Sequence, residues 1–261
     1  MDSKKLLDEV CQLALEAGRL FFNKGELQIS EKNARDYVTQ VDLSVNDYLI
    51  ARLPKLLQGS RIISEETSPS HPIDDGYNWV IDPVDGTTNL IYSLPLYAIS
   101  IGLLHNLEPV LGVVFNPASG EMFSGVKGGG AYLNGEPIQV CGDETLESTL
   151  VLTETNPYAD RTKTRSLEVI GRIFLDCIDL RVTGSAALDI VYIACGRGGV
   201  LVAESLSTWD CAAGCAILAE AGGCYTNWQG KPFSFAVRGG QSIIASNRKL
   251  HDIALGYTKI G

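Results

Sequence analysis

The sequence predicts a fold of the α+β or α/β class, with an antiparallel sheet in the N-terminal half and a mixed sheet in the C-terminal half. Two amphipathic helices followed by a run of adjacent short strands are typical of an antiparallel sheet covered by helices. After about residue 145, strands and helices alternate, which indicates a mixed or parallel sheet between helices. The acidic segment Cys141–Thr145 separates residues 1–145 from residues 146–261. At 261 residues, we expect these two halves to form one compact unit.

The two helices of the N-terminal half are predicted from hydrophobic periodicity. Apolar residues recur at spacings of three and four across residues 4–22, and Gly25 follows as a stop. A second helix is predicted over Ser44–Leu57, where Ser44 and Asp47 resemble a capping box. Pro54 is expected to kink or shorten this helix because proline lacks the backbone N–H.

The strands are predicted from short apolar runs bounded by turn residues. In the first half they cover residues 61–64, 78–81, 98–104, 109–115, 121–126 and 130–133, and Asn134–Gly135 forms a tight turn. In the second half the predicted strands are 149–154, 178–183, 199–203, 222–226 and 241–246. The predicted helices between and after them are 159–175, 185–196, 210–221 and 247–256.

The charge of the chain limits its partners. The net charge is −10, from 31 acidic and 21 basic residues, and this charge repels the backbone of nucleic acids. It repels a phosphate ester as well, so a phosphate site here needs a basic pocket or a bound metal ion. No apolar stretch has the length of a membrane span, and the N-terminus lacks an apolar signal core. We therefore expect a cytoplasmic protein that binds neither nucleic acid nor membrane.

Cysteine and histidine usage argues against two kinds of site. The seven cysteines are odd in number and form no Cys-x-x-Cys pair, which disfavours a disulfide framework and a zinc ribbon. The three histidines lack ligand spacing, which disfavours a histidine-based zinc site. The cysteines are interpreted as buried apolar thiols.

Residues 79–89 form the most informative segment of the chain. An apolar strand leads directly into Asp82 and Asp85, which are separated by Pro83. Carboxylate oxygens are the ligands that Mg²⁺ prefers, and proline restricts their relative orientation. Gly86 permits a turn whose successive N–H groups suit an anion. The alternative is an ordinary turn in which one of the aspartates caps a helix.

Further acidic residues occur at comparable positions. Glu65 ends the preceding predicted strand, and Asp210 stands at the start of a predicted helix, where capping is an alternative explanation. Asp36, Thr39 and Asp42 add a polar patch ahead of the second predicted helix. Several carboxylates at one point would repel one another without a cation. The sequence therefore predicts a cation site beside an anion site.

Five segments of the chain carry a resemblance to a known family. Asp82–Asn89, Ser64–Glu66 and Trp209–Gly214, with Lys127–Ala131 and Gly184–Ala187, resemble the motifs of the inositol monophosphatase family, in the family's order. The resemblance implies a layered α-β-α-β-α sandwich, often a homodimer. It also implies a phosphatase that uses two or three Mg²⁺ ions to hold the phosphate and activate the attacking water, without a covalent enzyme intermediate.

The same resemblance implies a role for each matching residue. The metal ligands would be the side chains of Glu65, Asp82, Asp85 and Asp210 and the backbone carbonyl of Val84. The catalytic residues would be Asp42 and Thr87, which orient the attacking water, together with Glu65. The phosphate would be bound by Gly86, Thr87 and Thr88. The substrate contacts would be Asp85, Gly184, Ser185, Ala186, Glu204 and Asp210.

One sequence position leaves the identity of the substrate open. Inositol-selective members of the family carry a glutamate seven residues before the aspartate of the Trp-Asp motif, where this chain has Ala203. Glu204 lies six residues before Asp210, so a one-residue deletion restores Glu204 to that role or the contact is lost. We expect hydrolysis of inositol 1-phosphate and, comparably, of at least one other sugar or polyol phosphate.

Two kinds of alternative function stay open. Within the same fold, the alternatives are phosphatases for fructose 1,6-bisphosphate, 3′-phosphoadenosine 5′-phosphate, NADP(H) or histidinol phosphate. An alternative of a different class is a regulatory protein that binds the RNA-processing or transcription machinery.

Overall fold

The computed structural model describes residues 2–22, 27–33, 36–67, 72–155 and 163–259. The helices are α1 (Ser3–Gly18), α2 (Gln40–Ile50), α3 (Leu53–Leu56), α4 (Thr87–Ile91), α5 (Lys163–Phe174), α6 (Ala186–Ala194), α7 (Thr208–Glu220) and α8 (His251–Thr258). The strands of the first half are β1 (Ile29–Asn33), β2 (Asp36–Thr39), β3 (Arg61–Ser64), β4 (Asn78–Asp85), β5 (Ala98–His105), β6 (Glu108–Asn116), β7 (Glu121–Val126), β8 (Gly130–Leu133) and β9 (Glu136–Pro137). Those of the second half are β10 (Leu150–Thr153), β11 (Asp179–Arg181), β12 (Val200–Leu206), β13 (Cys224–Thr226) and β14 (Gln241–Ser246).

Two sheets carry the fold, as the sequence predicted. The larger sheet has the order β3-β4-β5-β6-β7-β8-β9, and every neighbouring pair in it is antiparallel except β3 and β4. The smaller sheet has the order β11-β10-β12-β14-β13 and is mixed, because β10 runs parallel to β11 and β12 whereas β14 runs antiparallel to its neighbours. A separate antiparallel hairpin consists of β1 and β2.

The helices and sheets alternate in layers. Helices α1 and α2 pack on one face of the larger sheet, α6 and α7 lie between the two sheets, and α5 and α8 pack on the far face of the smaller sheet. Each helical layer has its own cluster of buried apolar side chains. This arrangement confirms the expected α-β-α-β-α sandwich.

Small residues allow α7 to lie directly on the larger sheet. A Cβ atom placed on Gly112 of β6 would lie 2.1 Å from the carbonyl oxygen of Ala213, and one placed on Gly102 of β5 would lie 2.8 Å from the Cβ of Ala212. Only glycine at these strand positions permits such an approach, since real Cβ contacts of this length do not occur. The close packing fixes the first turn of α7, which contains Asp210.

The prediction for the second helix was wrong in its start and its cap. The helix begins at Gln40 because Thr39 is extended and forms a capping box with Asp42. Ser44 lies inside the helix, where its hydroxyl donates to the carbonyl of Gln40 at 2.6 Å. Pro54 does not kink a long helix; it stands in the first turn of the separate helix α3, where its missing N–H is tolerated.

Other differences from the predictions are smaller. The turn at Asn134–Gly135, with φ of 51° and 86°, joins β8 to β9. The predicted stop at Gly25 and residues 159–162 of a predicted helix lie outside the described residues. The division at residue 145 stays a prediction. No helix in the part of the chain that the structure describes has both the length and the apolar character needed to cross a bilayer.

Candidate active site

A bulge at the end of β4 brings two aspartates to the same side of the sheet. Residues three apart on a regular strand point to opposite faces. Here Asp82 pairs with Ser100 and Asp85 pairs with Ala98, so β4 spans three residues where β5 spans two. The extra residue in this segment, which contains Pro83, is a β-bulge, a device that redirects side chains next to functional sites.

Three aspartates meet at this point. One carboxylate oxygen from each of Asp82, Asp85 and Asp210 lies within 4.8 Å of the other two, and the side chains are largely removed from solvent. Asp210 comes from the third position of α7, where it forms a capping box with Ser207. Asp210 therefore caps its helix, as the alternative explanation held, and the same side chain also belongs to the cluster.

Each aspartate of the cluster is oriented by a backbone N–H. One carboxylate oxygen accepts this bond, which fixes the orientation of the carboxylate group and therefore the position of its second oxygen. The bonds are Val84 N to Asp82 Oδ1 at 3.0 Å, Ala187 N to Asp85 Oδ2 at 2.8 Å and Ser207 N to Asp210 Oδ2 at 2.7 Å. The Ser185 hydroxyl also donates to Asp85 Oδ2. The cluster is thus preorganised by the protein itself.

The electrostatics of the cluster favour a bound cation. Burial, reinforced by the charges of Glu65, Asp85 and Asp210, raises the pKa of Asp82 well above its ordinary value. Burial and the neighbouring carboxylates likewise raise the pKa of Asp210. A carboxylate cluster of this kind must take up protons or a positive ion. Hard oxygen donors in this number suit Mg²⁺ or a similar divalent cation.

Glu65 joins the cluster from the neighbouring strand end. Its carboxyl is hydrogen-bonded with Asp82, and burial raises its pKa. Lys32 of the β1–β2 hairpin forms ion pairs with both Glu65, at 3.2 Å, and Glu66. Burial would lower the pKa of Lys32, but these two carboxylates outweigh it and raise the pKa. Lys32 therefore supplies positive charge at the edge of the acidic cluster, a contact that no motif in the sequence indicated.

Asp42 and Thr87, to which the resemblance assigns the orientation of the attacking water, are hydrogen-bonded to each other. The Thr87 hydroxyl contacts Asp42 Oδ1 at 2.8 Å and the carbonyl oxygen of Val84 at 2.9 Å. Asp42 is itself held by Thr39, whose backbone N–H lies 2.9 Å from Asp42 Oδ2. Since a hydroxyl carries one proton, Thr87 can donate to one of its two partners at a time. The pair can orient a water molecule beside the cluster.

The Gly86 turn connects the cluster to α4. Gly86 has φ of 90°, and a Cβ atom there would lie 2.8 Å from the carbonyl oxygen of Leu96, so only glycine fits. Thr87 and Thr88 follow in the first turn of α4, where N–H groups lack intrahelical partners. Binding of phosphate by Gly86, Thr87 and Thr88 stays a prediction.

Most of the predicted site residues line one cavity of about 480 Å³. Those that do are Glu65, Asp82, Val84, Asp85, Gly86, Thr87, Thr88, Gly184, Ala186 and Asp210. Ser185 and Asp42 are fully buried behind the wall of the cavity and contact residues that line it.

Glu204 does not reach the cavity. Its carboxylate accepts a hydrogen bond from Ser166 Oγ at 2.7 Å and lies 3.8 Å from Arg165, both on α5 at the far face of the smaller sheet. The pairing of β12 with β14 breaks after Ala203, and Ser205, with φ of 64°, lines the cavity instead. The expectation that Glu204 contacts the substrate does not agree with this geometry, because the irregular pairing after Ala203 leaves Glu204 directed toward α5.

Sequence reasoning missed one acidic residue of the cavity wall, Glu154. It follows β10 directly, at the end of a strand that the sequence had predicted. The argument that selected Glu65 and Asp82, a carboxylate at a strand end, would have selected it as well.

Comparison with known proteins places this site in a family. A model of the inositol monophosphatase family matches residues 2–259. The chain belongs to the inositol monophosphatase family. It is 35% identical over 234 residues to the inositol-1-monophosphatase of Mesorhizobium japonicum, covering 88% of each chain. It is 34% identical over 229 residues to Nus factor SuhB of Escherichia coli strain K12, covering 86% of each.

A solved structure shows the same fold along almost the whole chain. The extragenic suppressor protein suhB from Bartonella henselae superimposes with a TM-score of 0.90 at 30% identity, covering 98% of this chain and 99% of that one. Family membership makes this protein a phosphatase of the inositol monophosphatase superfamily, and its acidic cluster could hold a metal ion.

The raised pKa of Asp85 predicts how the stability of the cation-free protein depends on pH. Burial raises this pKa from 3.8 to about 6, so the group stabilises the folded state below about pH 4 and that contribution is lost as the pH rises through 6. The shift corresponds to about 3 kcal/mol. Urea denaturation at pH 4.5 and pH 7 should show a smaller pH-dependent loss of stability in Asp85→Asn than in the wild type. Equal losses of stability between pH 4.5 and pH 7 in the two proteins would contradict the raised pKa of Asp85.

Proposed function

We propose that this protein is a Mg²⁺-dependent phosphomonoesterase acting on inositol 1-phosphate or a related sugar or polyol phosphate, with two or three ions bound. The observation that carries the proposal is the convergence of Asp82, Asp85 and Asp210 in one cavity with the Thr87–Asp42 pair, in a chain of this family. Cation ligands, an anion cradle and a water-orienting pair are the parts that phosphoryl transfer to water requires.

Different residues of the chain would hold the cations, bind the phosphate and orient the water. Glu65, Asp82, Asp85, Asp210 and the Val84 carbonyl would hold Mg²⁺, which when bound supplies positive charge for the phosphate and the departing alkoxide. The N–H groups from Gly86 to Thr88 would bind phosphate oxygens. Asp42 accepts a hydrogen bond from Thr87, so that the hydroxyl oxygen can accept one from the attacking water. With its orientation fixed, the water can attack the phosphorus in line with the leaving oxygen.

The alcohol side of the cavity supports a broad substrate range. Gly184, Ala186 and Ser205 line this side, and Glu204 is directed to α5. None of these three carries a charged side chain, and the one acidic side chain beside them in the described cavity wall, Glu154, could accept a hydrogen bond from a hydroxyl of many different polyols. The catalytic residues would contact the phosphate group and the cations. Every candidate substrate has this phosphate group, so these residues do not distinguish one alcohol from another.

A panel of phosphate esters tests the substrate class. We expect hydrolysis of inositol 1-phosphate and comparable kcat/KM, within about tenfold, for at least one other sugar or polyol phosphate, since a single lost hydroxyl contact changes discrimination by about 1–3 kcal/mol. Phosphate release with Mg²⁺ would be measured across fructose 1,6-bisphosphate, NADP⁺, 3′-phosphoadenosine 5′-phosphate and histidinol phosphate as well. A preference of several hundredfold for any one ester would contradict the proposed breadth.

A regulatory role is a second candidate, favoured by the relative named Nus factor SuhB. The acidic surface permits binding to another protein. Loss of the Asp82 carboxylate distinguishes the two functions, because a binding module retains its partner when the catalytic cluster is disabled.

The quaternary structure and location belong to the same proposal. Apolar side chains are exposed at the end of α5 and just after it, at Phe174, Leu175 and Ile178, which supports a homodimer. Sedimentation equilibrium showing the mass of a single chain would contradict it. The cytoplasmic location stays a prediction from the sequence.

A further inference from the structure

Glu154 lies in the wall of the cavity, and among the described residues it is the only acidic one that the strands of the smaller sheet and their ends contribute to this wall. Thr153 of β10 pairs with Val202 of the parallel strand β12, so Glu154 comes one residue later, next to Ala203. Glu154 and Ser205 both line the cavity, together with Gly184. The ends of two adjacent strands thus bring Glu154 and Ser205 to the same cavity.

Behind Glu154 lies a second acid, Asp189 of α6, which is completely buried. The two side chains are hydrogen-bonded to each other. The Thr183 hydroxyl lies 2.7 Å from Asp189 Oδ1. Glu154 Oε1 and Asp189 Oδ2 are buried, and no N–H or O–H group of the described residues donates to either atom, whereas the Glu154 carboxyl also accepts hydrogen bonds from the backbone of Gly184 and Ser185. Two ionised carboxylates cannot donate to each other, so a single proton must lie between them.

The proton belongs on Asp189. Burial raises the pKa of Asp189 well above its ordinary value, and the charge of Glu154 and the hydrogen bond with Glu154 raise it further. Burial raises the pKa of Glu154 to about 7, whereas the hydrogen bond from Asp189 lowers it. The other ionisable groups around the pair are Asp85, Asp210 and Tyr192. The carboxyl that lines the cavity therefore ionises at a lower pH than the one behind it.

We propose that Glu154 accepts a hydrogen bond from a hydroxyl group of the substrate, and that Asp189 holds Glu154 in place by donating its proton to it. This inference rests on the proposed function and assigns the specificity of the same cavity. Glu154 is the residue in contact with the alcohol part of the substrate, and Asp189 is a positioning residue. The substrate class that fits is a phosphate ester of a polyol, whose free hydroxyls can reach the carboxylate, in contrast to an aryl phosphate, which has none.

The test compares kcat/KM for inositol 1-phosphate and for 4-nitrophenyl phosphate at saturating Mg²⁺. Glu154→Gln is expected to lower the value for inositol 1-phosphate by about tenfold to a hundredfold, because a neutral amide oxygen accepts a weaker hydrogen bond than a carboxylate. The value for 4-nitrophenyl phosphate should change by less than about threefold. Glu204→Gln is the matched control, since this buried glutamate faces α5, and it should leave the ratio of the two values unchanged.

Asp189 provides the second arm of the test. Asp189→Asn retains a donor toward Glu154 and should keep the discrimination of the wild type. Asp189→Leu removes the donor and should lose the discrimination as Glu154→Gln does. Rescue by asparagine but not by leucine is not expected if Asp189 only fills space, because both side chains have the branched shape and the number of heavy atoms of aspartate.

Three results would overturn the inference. Equal losses for both esters in Glu154→Gln would show that Glu154 acts on the shared chemistry. A weaker affinity for Mg²⁺ in this variant, measured by calorimetry, would assign its effect to the cation cluster through Asp85. Unchanged kinetics for both esters would show that the substrate does not contact Glu154. Failure of the proposed function itself would look different, because the wild type would then hydrolyse neither ester.

Discussion

Removal of divalent cations is expected to abolish hydrolysis of phosphate esters, and addition of Mg²⁺ is expected to restore it. The cavity contains at least four carboxylates, and in the described residues the only positively charged side chain paired with one of them is Lys32. A phosphate dianion entering this cavity without cations would be repelled by every one of them. Bound cations reverse the sign of the local field and stabilise the charge that develops in the transition state.

The experiment uses dialysis against a chelator followed by titration with Mg²⁺, with phosphate release as the measurement. Circular dichroism before and after dialysis controls for unfolding. Full activity in excess chelator would rule out a metal-dependent mechanism. Ca²⁺ at equal concentration is a useful comparison, since it is larger and adopts less regular coordination than Mg²⁺.

Asp82→Asn and Asp210→Asn are each expected to reduce turnover by about a thousandfold or more. An amide preserves the size and the backbone hydrogen bond of the carboxyl group but removes its charge. The transition state then loses several kcal/mol of stabilisation from a displaced or weakened cation, and each 1.4 kcal/mol corresponds to about tenfold in rate. The measurement is kcat at saturating Mg²⁺.

Asp8→Asn is the matched control for these variants, because Asp8 is exposed on α1 and does not line the cavity. Both cluster variants should remain folded. In the absence of Mg²⁺ they should be as stable as the wild type or more stable at neutral pH, since the substitution relieves repulsion between buried carboxylates. Near-normal turnover in either variant would contradict its role as a cation ligand.

The acidic cluster could be predicted because its residues stand at the ends of elements. Asp82 follows a run of apolar residues, and Asp210 stands in the first turn of a helix, which are places that a sequence marks clearly. The bulge at Pro83 could not be predicted in the same way. On a regular strand Asp82 and Asp85 would face opposite sides, and only the pairing with β5 shows that they do not.

The rest of the site depends on contacts between distant parts of the chain. Lys32 reaches Glu65 from a hairpin whose pairing has no strong sequence signal. The direction of Glu204 depends on a break in the pairing of β12 with β14, which a count of residues before Asp210 cannot reveal. The start of α2 was missed because both Thr39–Asp42 and Ser44–Asp47 have the spacing of a capping box, and the structure forms the first.

Isothermal titration calorimetry of the cation-free protein with Mg²⁺ tests the central claim most directly, because it measures the cation site without relying on any substrate. The account predicts saturable binding by the wild type and by Asp8→Asn. It predicts binding weakened by at least about tenfold, or lost, in Asp82→Asn, since removal of a charged ligand costs more than 1.4 kcal/mol. Identical binding curves for the wild type and Asp82→Asn, or no binding by the wild type, would contradict it.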